Sequence, residues 1–576
     1  MSTYTITGLC TATILRLHSD SRRMLSGLYF RRYVLTCICA PLVAASFSGC
    51  SKSTPATLLI TDEVSHPLRS EVFGQFLERP SWGKEYGPEA VCDEQGKLSP
   101  EVETHLVGMH TTLVRFPHGT DGDYVDWQDM IDLPGRPERP VTTGHKGDTV
   151  TNNFGFPEYF ALADRMEWST ILVTNLRDAL YHKKPLAEAA AHSAELVAYA
   201  TRSAVPVRIA AVQVGNEGWF FWPPKTPEER TALGLADDAA CATWLRECLI
   251  AYADAIRAVR PDLPLIADAP RPLDGGGLEN NAAAVWRAAV DHPDVRSRYA
   301  MLAAHAYAPM GIWAADRNGE KLKHANLSAD EVWDAATTTL GRFDAQGRAV
   351  ADAAAYDDIA ALGYRVAVTE WNWNGWDFAK RFPQANFSDG MPAALGTAGF
   401  LHGLMRHKHV TLANQSLLLG VSWGITSVRV NPNGTVGYLP QAEAMRLHAE
   451  HHGSEVLTSE LTGSALIEAP VRLTTWWPQV ARAAVLDAVV TADSKHVYVH
   501  LLNRHRTAAQ TLKIVVPDSA SKSGKASLHL LTAKPKASIA RSGGMTRVEL
   551  EQTWSNRMLN VEIPPAAIAV IVLPRS

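Results

Sequence analysis

The stretch IAAVQVGNE, residues 209–217, reads as a β-strand covered on both faces that ends abruptly in polar groups. Its apolar run is broken only by Gln213, and Gly215, Asn216 and Glu217 close it. RVAVTEWN, residues 365–372, has the same grammar and places Glu370 and Asn372 at its end. Working outward, six more runs of this kind occur: VFGQFLE (72–78), TLVRFP (112–117), TILVTN (170–175), LPLIAD (263–268), AMLAAHAY (300–307) and LLLGVSWGI (417–425). Helix-like stretches at 157–168, 186–204, 238–260, 279–291, 393–408 and 440–452 lie between them. Pro185 and Pro392 stand at helix starts, where proline is tolerated. Eight strands alternating with helices predict an α/β fold, a (β/α)₈ TIM barrel with insertions. A doubly wound open sheet would call for a Gly-rich dinucleotide turn after the first strand, and none is present.

Beyond residue 454 the helical period fades. Strand-like runs at 494–502, 510–516, 526–532, 545–551 and 567–573, separated by turn-rich stretches, predict a C-terminal all-β sandwich. TLLIT (57–61) precedes the barrel and can add a strand to that domain. The expected organisation is a leader (1–50), a linker with a strand for the β domain (51–71), the barrel (72–453) and the sandwich (454–576).

The leader carries YVLTCICAPLVAASF (33–47) after Arg31 and Arg32, then Ser48-Gly49-Cys50. A basic flank before a short apolar run is an export signal, too short to span a bilayer comfortably. The ending resembles a bacterial lipoprotein signal, which implies cleavage before Cys50, lipid on Cys50, and a periplasmic or cell-surface location. Met24 as the start would give a leader of ordinary length. An ordinary secretory signal is the alternative. Membrane association is expected only through that lipid. Of the other cysteines, Cys241 and Cys248 are seven residues apart on one helix, about 10 Å, beyond disulfide reach. With 55 basic and 60 acidic residues the net charge is −5, which argues against nucleic acid as partner. No zinc-like spacing occurs, and neither a metal nor a cofactor is expected. His407, His409 and the group His448, His451 and His452 read as solvated helix faces. Oligomeric state is left open, and a homo-oligomer is compatible with the sequence.

Barrel active sites lie at the C-terminal strand ends. The polar residues there are Glu78, Arg115, Asn175, Asn216 with Glu217, Asp268, His305 with Tyr307, and Glu370 with Asn372. Charges at the ends of buried strands are costly unless paired or used. Glu217 and Glu370 end strands four and seven, which face each other across the mouth. Glycoside hydrolysis needs such a pair, one carboxylic acid to protonate the leaving oxygen and one carboxylate to attack the anomeric carbon or activate water. Asn216 can reach the sugar 2-hydroxyl, and Arg115 and Tyr307 can hold Glu370 ionised. Asp268 reads as a residue that shapes its turn.

These residues resemble glycoside hydrolase family 51, the α-L-arabinofuranosidases. The resemblance runs over residues 57–576: Phe73-Gly74-Gln75-Phe76-Leu77-Glu78, Arg115-Phe116-Pro117, Asp123-Tyr124-Val125-Asp126-Trp127, Gly215-Asn216-Glu217, His305-Ala306-Tyr307, Glu370-Trp371-Asn372 and Leu501-Leu502-Asn503-Arg504. It implies a retaining glycosidase that removes α-L-arabinofuranosyl groups from plant-type glycans. Glu217 would be acid/base and Glu370 nucleophile, with Glu78, Arg115, Asn175, Asn216, His305, Tyr307 and Trp371 on the substrate. The chain departs from the family pattern at Arg79-Pro80, at His118-Gly119-Thr120, and on strand eight, where Leu417 replaces a Gln although Gln415 is near. All three are sugar-contact positions. Same-clan action on xylosides, galactofuranosides or glucans, and a non-catalytic sugar-binding lipoprotein, are the alternative readings. The aromatics Trp219, Phe220, Phe221, Trp222, Trp373 and Trp376 suit either a subsite wall or packing.

Overall fold

Eight parallel strands close into a barrel in the computed structural model. They are β1 (Gly74–Phe76), β2 (Leu113–Phe116), β3 (Ser169–Thr174), β4 (Arg208–Val214), β5 (Leu265–Asp268), β6 (Met301–Met310), β7 (Arg365–Asn374) and β8 (Val410–Ser416). A helix follows each: α1 (Pro100–Val107), α2 (Phe156–Arg165), α3 (Leu186–Thr201), α4 (Asp238–Val259), α5 (Ala282–Val290), α6 (Ala353–Ala361), α7 (Gly390–Arg406) and α8 (Pro440–Glu450). The structure describes residues 55–79, 87–144, 147, 149–269, 282–310, 314–317, 320–322, 327–338, 343–374, 390–469, 471–474, 482–534, 537 and 541–576. The leader with Met24 and Cys50, and also Pro80 and Trp376, lie outside the described residues. No helix among the described residues is long and apolar enough to cross a membrane.

The barrel interior is stratified by the two-residue period of its strands. One apolar layer is made by Leu113, Ile171, Ala211, Ile266, Ala303 and Ala367 with their neighbours. Two residues further along, the same inward face presents Arg115, Gln213, Asp268 and His305, all buried. The apolar layer floors the mouth and the polar layer fills it.

Strand eight corrects the sequence reading. It is VTLANQS (410–416), not 417–425. Buried Asn414, Gln415 and Ser416 broke its apolar pattern, while Leu417 packs with Phe76 and Ile425 in the segment above. Gln415 therefore stands on the strand in place of Leu417; it accepts from Gln75 Nε2 at 3.0 Å and lies 3.4 Å from Asn372 Oδ1.

The C-terminal β domain is one nine-stranded sheet wrapped on itself. Its further strands are β9 (Glu455–Thr462), β10 (Leu486–Ala492), β11 (His496–Asn503), β12 (Gln510–Val515), β13 (Gly524–Ala533), β14 (Met545–Trp554), β15 (Met558–Ile563) and β16 (Ala567–Pro574). The spatial order is β14-β13-β16-β11-β10-β9, then the leading strand Ala56–Pro67, then β12-β15. The leading strand pairs antiparallel with β9 and parallel with β12. Leu58, Leu501, Ile514, Leu528, Leu559 and Ile571 meet in its core. The other face, with Leu502, Leu531, Ile568 and Val570, packs on Leu395 and Ala398 of α7 and Leu447 of α8. Strands apolar on both faces follow from this double burial.

An ionic knot sits in that junction. Asp487 accepts from Arg504 Nη2 at 3.0 Å and pairs with Arg406 of α7. Burial pushes its carboxyl up, but Arg406, His402 and Arg504 outweigh burial and hold it well below the ordinary range. The histidine reading is corrected here. His448 is fully buried, its Nε2 3.3 Å from His402 Nε2 and its ring stacked 5.0 Å from His500. That face of α8 meets the β domain instead of water. Burial lowers His402 to about 4 and His448 to about 3, with Asp487 opposing it at His402.

Two outcomes follow. Asp487→Ala strands two guanidinium groups and should cost about 3–5 kcal/mol, read by urea denaturation. Histidines held below their ordinary 6.5 bind protons more weakly folded than unfolded. Stability is thus full above that pH and falls as pH drops toward about 4, visible as a declining Tm.

Candidate active site

Arg115 is the hub of the mouth. It is completely buried, with its guanidinium 4.4 Å over the Phe76 ring. Its Nε donates to Gln213 Oε1 at 2.9 Å, Nη1 to Glu370 Oε1 at 2.8 Å, and Nη2 to Asn216 Oδ1. On the other side of Glu370, the Tyr307 hydroxyl donates to Oε2 at 2.7 Å and lies 2.9 Å from Ser416 Oγ. Burial alone would raise the Glu370 carboxyl; His305, Arg115 and Tyr307 more than offset it, and its pKa is lowered. Burial and the Glu370 charge push the Tyr307 hydroxyl well up, so it stays a donor.

Glu217 is reached through His305. The His305 Nδ1 is 2.9 Å from Glu217 Oε1 and 3.7 Å from Glu370 Oε2, while Nε2 is 2.9 Å from Thr369 Oγ1. One ligand atom each of Glu217, His305 and Glu370 lies within 4.8 Å of the others, the one such cluster among the described residues. A cation there would share Glu370 with the Arg115 guanidinium, whose charge disfavours it.

The turn bearing Glu217 is held from both sides. Gly215 has φ 79° and Glu217 φ 50°, a left-handed conformation that is unfavourable for a side-chain-bearing residue. Asp123 accepts the Asn216 N–H at 3.1 Å, along with those of Leu176 and Arg177 at 2.9 and 3.2 Å. Asp268 Oδ2 accepts the Gly218 N–H at 2.8 Å. Both aspartates are buried, and burial raises Asp123 to about 6 and Asp268 to about 7 against those backbone bonds. A Cβ on Gly218 would lie 2.5 Å from Trp286 and 3.3 Å from Asp268 Oδ2, so only glycine fits.

The structure thus brings Arg115, Asn216, Glu217, His305, Tyr307 and Glu370 together. Glu78 joins them across Gly119, whose added Cβ would lie 2.8 Å from Glu78 Oε1 and 3.3 Å from Glu370 Oε1. Asn175 stands apart, with its Oδ1 accepting the Asp178 N–H at 3.0 Å. Trp371, read as a sugar contact, is corrected: it is buried and stacked 5.2 Å from Phe400. Successive strand side chains point to opposite faces, so Glu370 facing inward sends Trp371 out to α7. Arg79 and His118 also fall behind the mouth. Arg79 is buried and donates to Asn152 Oδ1 at 2.7 Å and Asp121 Oδ2 at 3.3 Å. His118 is buried with neither ring nitrogen hydrogen-bonded among the described residues, and burial with nearby Arg79 lowers it to about 3. Trp222 donates to Cys241 O at 3.3 Å as packing, Trp219 meets His305 edge-on at 5.5 Å, and Phe220 is 41% exposed. Gln213, Thr369 and Asp123 were absent from the sequence-based site. Only their partners reveal them, although Gln213 is the single polar break in its strand.

The architecture and this cluster of acidic strand ends place the chain with barrel-plus-sheet folds found among glycoside hydrolases. No family model and no curated protein matches it in sequence. In structure it is similar to the α-L-arabinofuranosidase from Thermotoga maritima solved with arabinose, at 15% identity and TM-score 0.64, covering 90% of this chain and 100% of that one. A family 51 α-L-arabinofuranosidase from Bifidobacterium longum aligns at 17% identity and TM-score 0.64, with 90% and 100% covered. A bifunctional glucanase-xylanase from a metagenome library aligns at 12% identity and TM-score 0.56, with 91% and 99% covered. Likeness at these identities shows a shared fold.

Gly218→Ala should lower stability by about 1–3 kcal/mol through overpacking against Trp286. A stability equal to wild type in urea denaturation would mean the turn yields more easily than its contacts imply.

Proposed function

We propose that the chain is a retaining glycosidase, a divergent relative of the family 51 α-L-arabinofuranosidases. One observation carries the reading: carboxylate oxygens of Glu217 and Glu370 lie within 4.8 Å of each other, bridged by His305. Retaining enzymes hold their carboxyl groups about 5–5.5 Å apart and inverting ones about 6.5–9.5 Å, to admit water. The Glu370 carboxylate, ionised between Arg115 and Tyr307, attacks the anomeric carbon. The bond to the leaving oxygen breaks as Glu217 gives it a proton. Glu217 then takes a proton from water, and that water displaces Glu370 from the sugar. Asn216 supports substrate contact: its Oδ1 is taken by Arg115, while its buried Nδ2 has no hydrogen-bond partner among the described residues and can meet a sugar hydroxyl.

An arabinofuranosyl group on a plant-type glycan is the proposed substrate, supported by the sequence motifs and by the likeness to an α-L-arabinofuranosidase solved with arabinose. A second reading, action on glucans or xylans, is favoured by the glucanase-xylanase likeness. Export and lipid attachment at Cys50 belong to the same proposal and place the enzyme at a bacterial cell surface or in the periplasm.

Hydrolysis of a panel of chromogenic furanosides and pyranosides, followed by NMR of the first-formed anomer, is the test; an inverted product refutes the nucleophile role. Glu370→Ala should lose on the order of 10⁴-fold or more in kcat while still folding. Glu217→Ala should lose about 10²–10⁴-fold on natural linkages and less on activated aryl glycosides, which need little protonation. Equal losses on both substrates count against the acid role. Glu370 acts ionised, and its pKa lies below the ordinary 4.5, so kcat/KM should hold down to that pH and fall beneath it. Tyr307→Phe removes a donor that lowers Glu370 and should shift that acid limb upward.

A further inference from the structure

Beside the turn that carries Glu217, Arg177 is caged by aromatic rings. Its guanidinium carbon lies 4.5 Å from the Tyr124 ring centroid, 4.7 Å from that of Tyr181 and 5.7 Å from that of Phe221. The Tyr181 hydroxyl donates to Phe221 O at 2.5 Å and ties the cage together. Among the described residues the guanidinium has no hydrogen-bond acceptor and no ion-pair partner, and its Nε is buried without one. The neighbouring carboxylates hydrogen-bond or pair with other groups, although the Arg177 charge reaches Asp123 and acts to lower its carboxyl. Asp178 pairs with Lys183 and Lys184, Asp126 with Lys184 and His192, and Asp123 accepts three backbone N–H groups. Ring faces hold a guanidinium in place without neutralising it. The fork of N–H donors then stays available for a planar anion, which arginine binds in a bidentate manner.

The location says which part of a substrate would meet it. Asp123 accepts the N–H of both Arg177 and Asn216, so the cage begins one carboxylate away from the Glu217 turn. Glu217 protonates the departing oxygen, so this is the leaving-group side of the site. The Tyr124 ring, which also meets Lys183 at 5.9 Å, is 43% exposed. Exposed rings beside a site offer apolar faces to the C–H side of a sugar.

We infer that Arg177, within its cage of Tyr124, Tyr181 and Phe221, forms a leaving-group subsite for a saccharide unit bearing a carboxylate, a uronic acid residue of the glycan. The inference rests on the glycosidase reading for its orientation and names a feature of the substrate that the two glutamates do not select. A charge-assisted bidentate contact of this kind is worth about 10- to 100-fold in affinity.

Calorimetry with trigalacturonic acid, a neutral trisaccharide and inorganic phosphate tests it, using the full chain and its Arg177→Met variant, which keeps an unbranched apolar stem among the rings. Trigalacturonate should bind wild type at least about 10-fold more tightly than the neutral trisaccharide, and the variant should lose that preference. Equal binding to both proteins, or no binding to wild type, overturns the proposal. Phosphate binding as tightly as trigalacturonate would reveal a simple anion site and overturn the sugar assignment. The kcat/KM ratio between a uronate-bearing and a neutral arabinofuranosylated oligosaccharide should fall by the same factor in the variant. A chain that hydrolyses no glycoside refutes the enzymatic reading and leaves the calorimetric result standing. One that hydrolyses furanosides but ignores uronates refutes only the subsite.

Discussion

A single buried cation organises the mouth of the barrel. Arg115 comes from β2, stacks on Phe76 of β1, hydrogen-bonds Gln213 and Asn216 from β4 and its following turn, and meets Glu370 of β7. A guanidinium taken wholly out of water is tolerable only when its donors find acceptors and its charge a counter-charge. Every one of those acceptors is also a group the proposed chemistry uses or a neighbour of one. The requirement to satisfy Arg115 therefore sets the spacing of Asn216 and Glu370, and His305 then carries that spacing on to Glu217. The left-handed turn at Glu217 is the strained part of the arrangement. Asp123 and Asp268 hold it by accepting the N–H groups on either side of that residue.

Much of this was legible in the residues. The barrel strands followed from apolar runs, and the inward polar ends followed from where those runs stopped. Glu217 and Glu370 were legible because a carboxylate at the end of a buried strand needs a reason to be there. Strand eight was not, because its buried Asn414 and Gln415 bond to Gln75 of β1 and its Ser416 to Tyr307, contacts that leave no periodic mark. Trp371 was misjudged because proximity in sequence to a catalytic-type residue says nothing about which face of a strand it occupies. His448 was misjudged because a polar residue on an outer helix looks solvated until a second domain is known to cover it. Arg79 and His118 depart from the family pattern at residues that the fold turns away from the carboxylates. Their divergence repacks the wall behind the mouth.

The two domains share more than a surface. The Asp487 knot joins β10 to α7 and to Arg504 just past β11, and the histidines of α7, α8 and β11 fill the same junction. Polar burial on this scale discriminates among docking arrangements, since any shift of the sheet over α7 would separate Arg406 from its carboxylate.

The leading strand Ala56–Pro67 has a consequence for how the chain acquires its shape. Leu58 pairs with Leu461 of β9, on the far side of the entire barrel sequence, and with Ile514 of β12. Contacts of such sequence separation form late, because the loop they close must be ordered first. A chain emerging from its N-terminus must keep this strand unpaired until the barrel has been made and β9 and β12 have followed. Sheet closure is then the final latch of the whole molecule. Neither the barrel nor the β domain can be cut free at a single point without taking a central strand from the sheet.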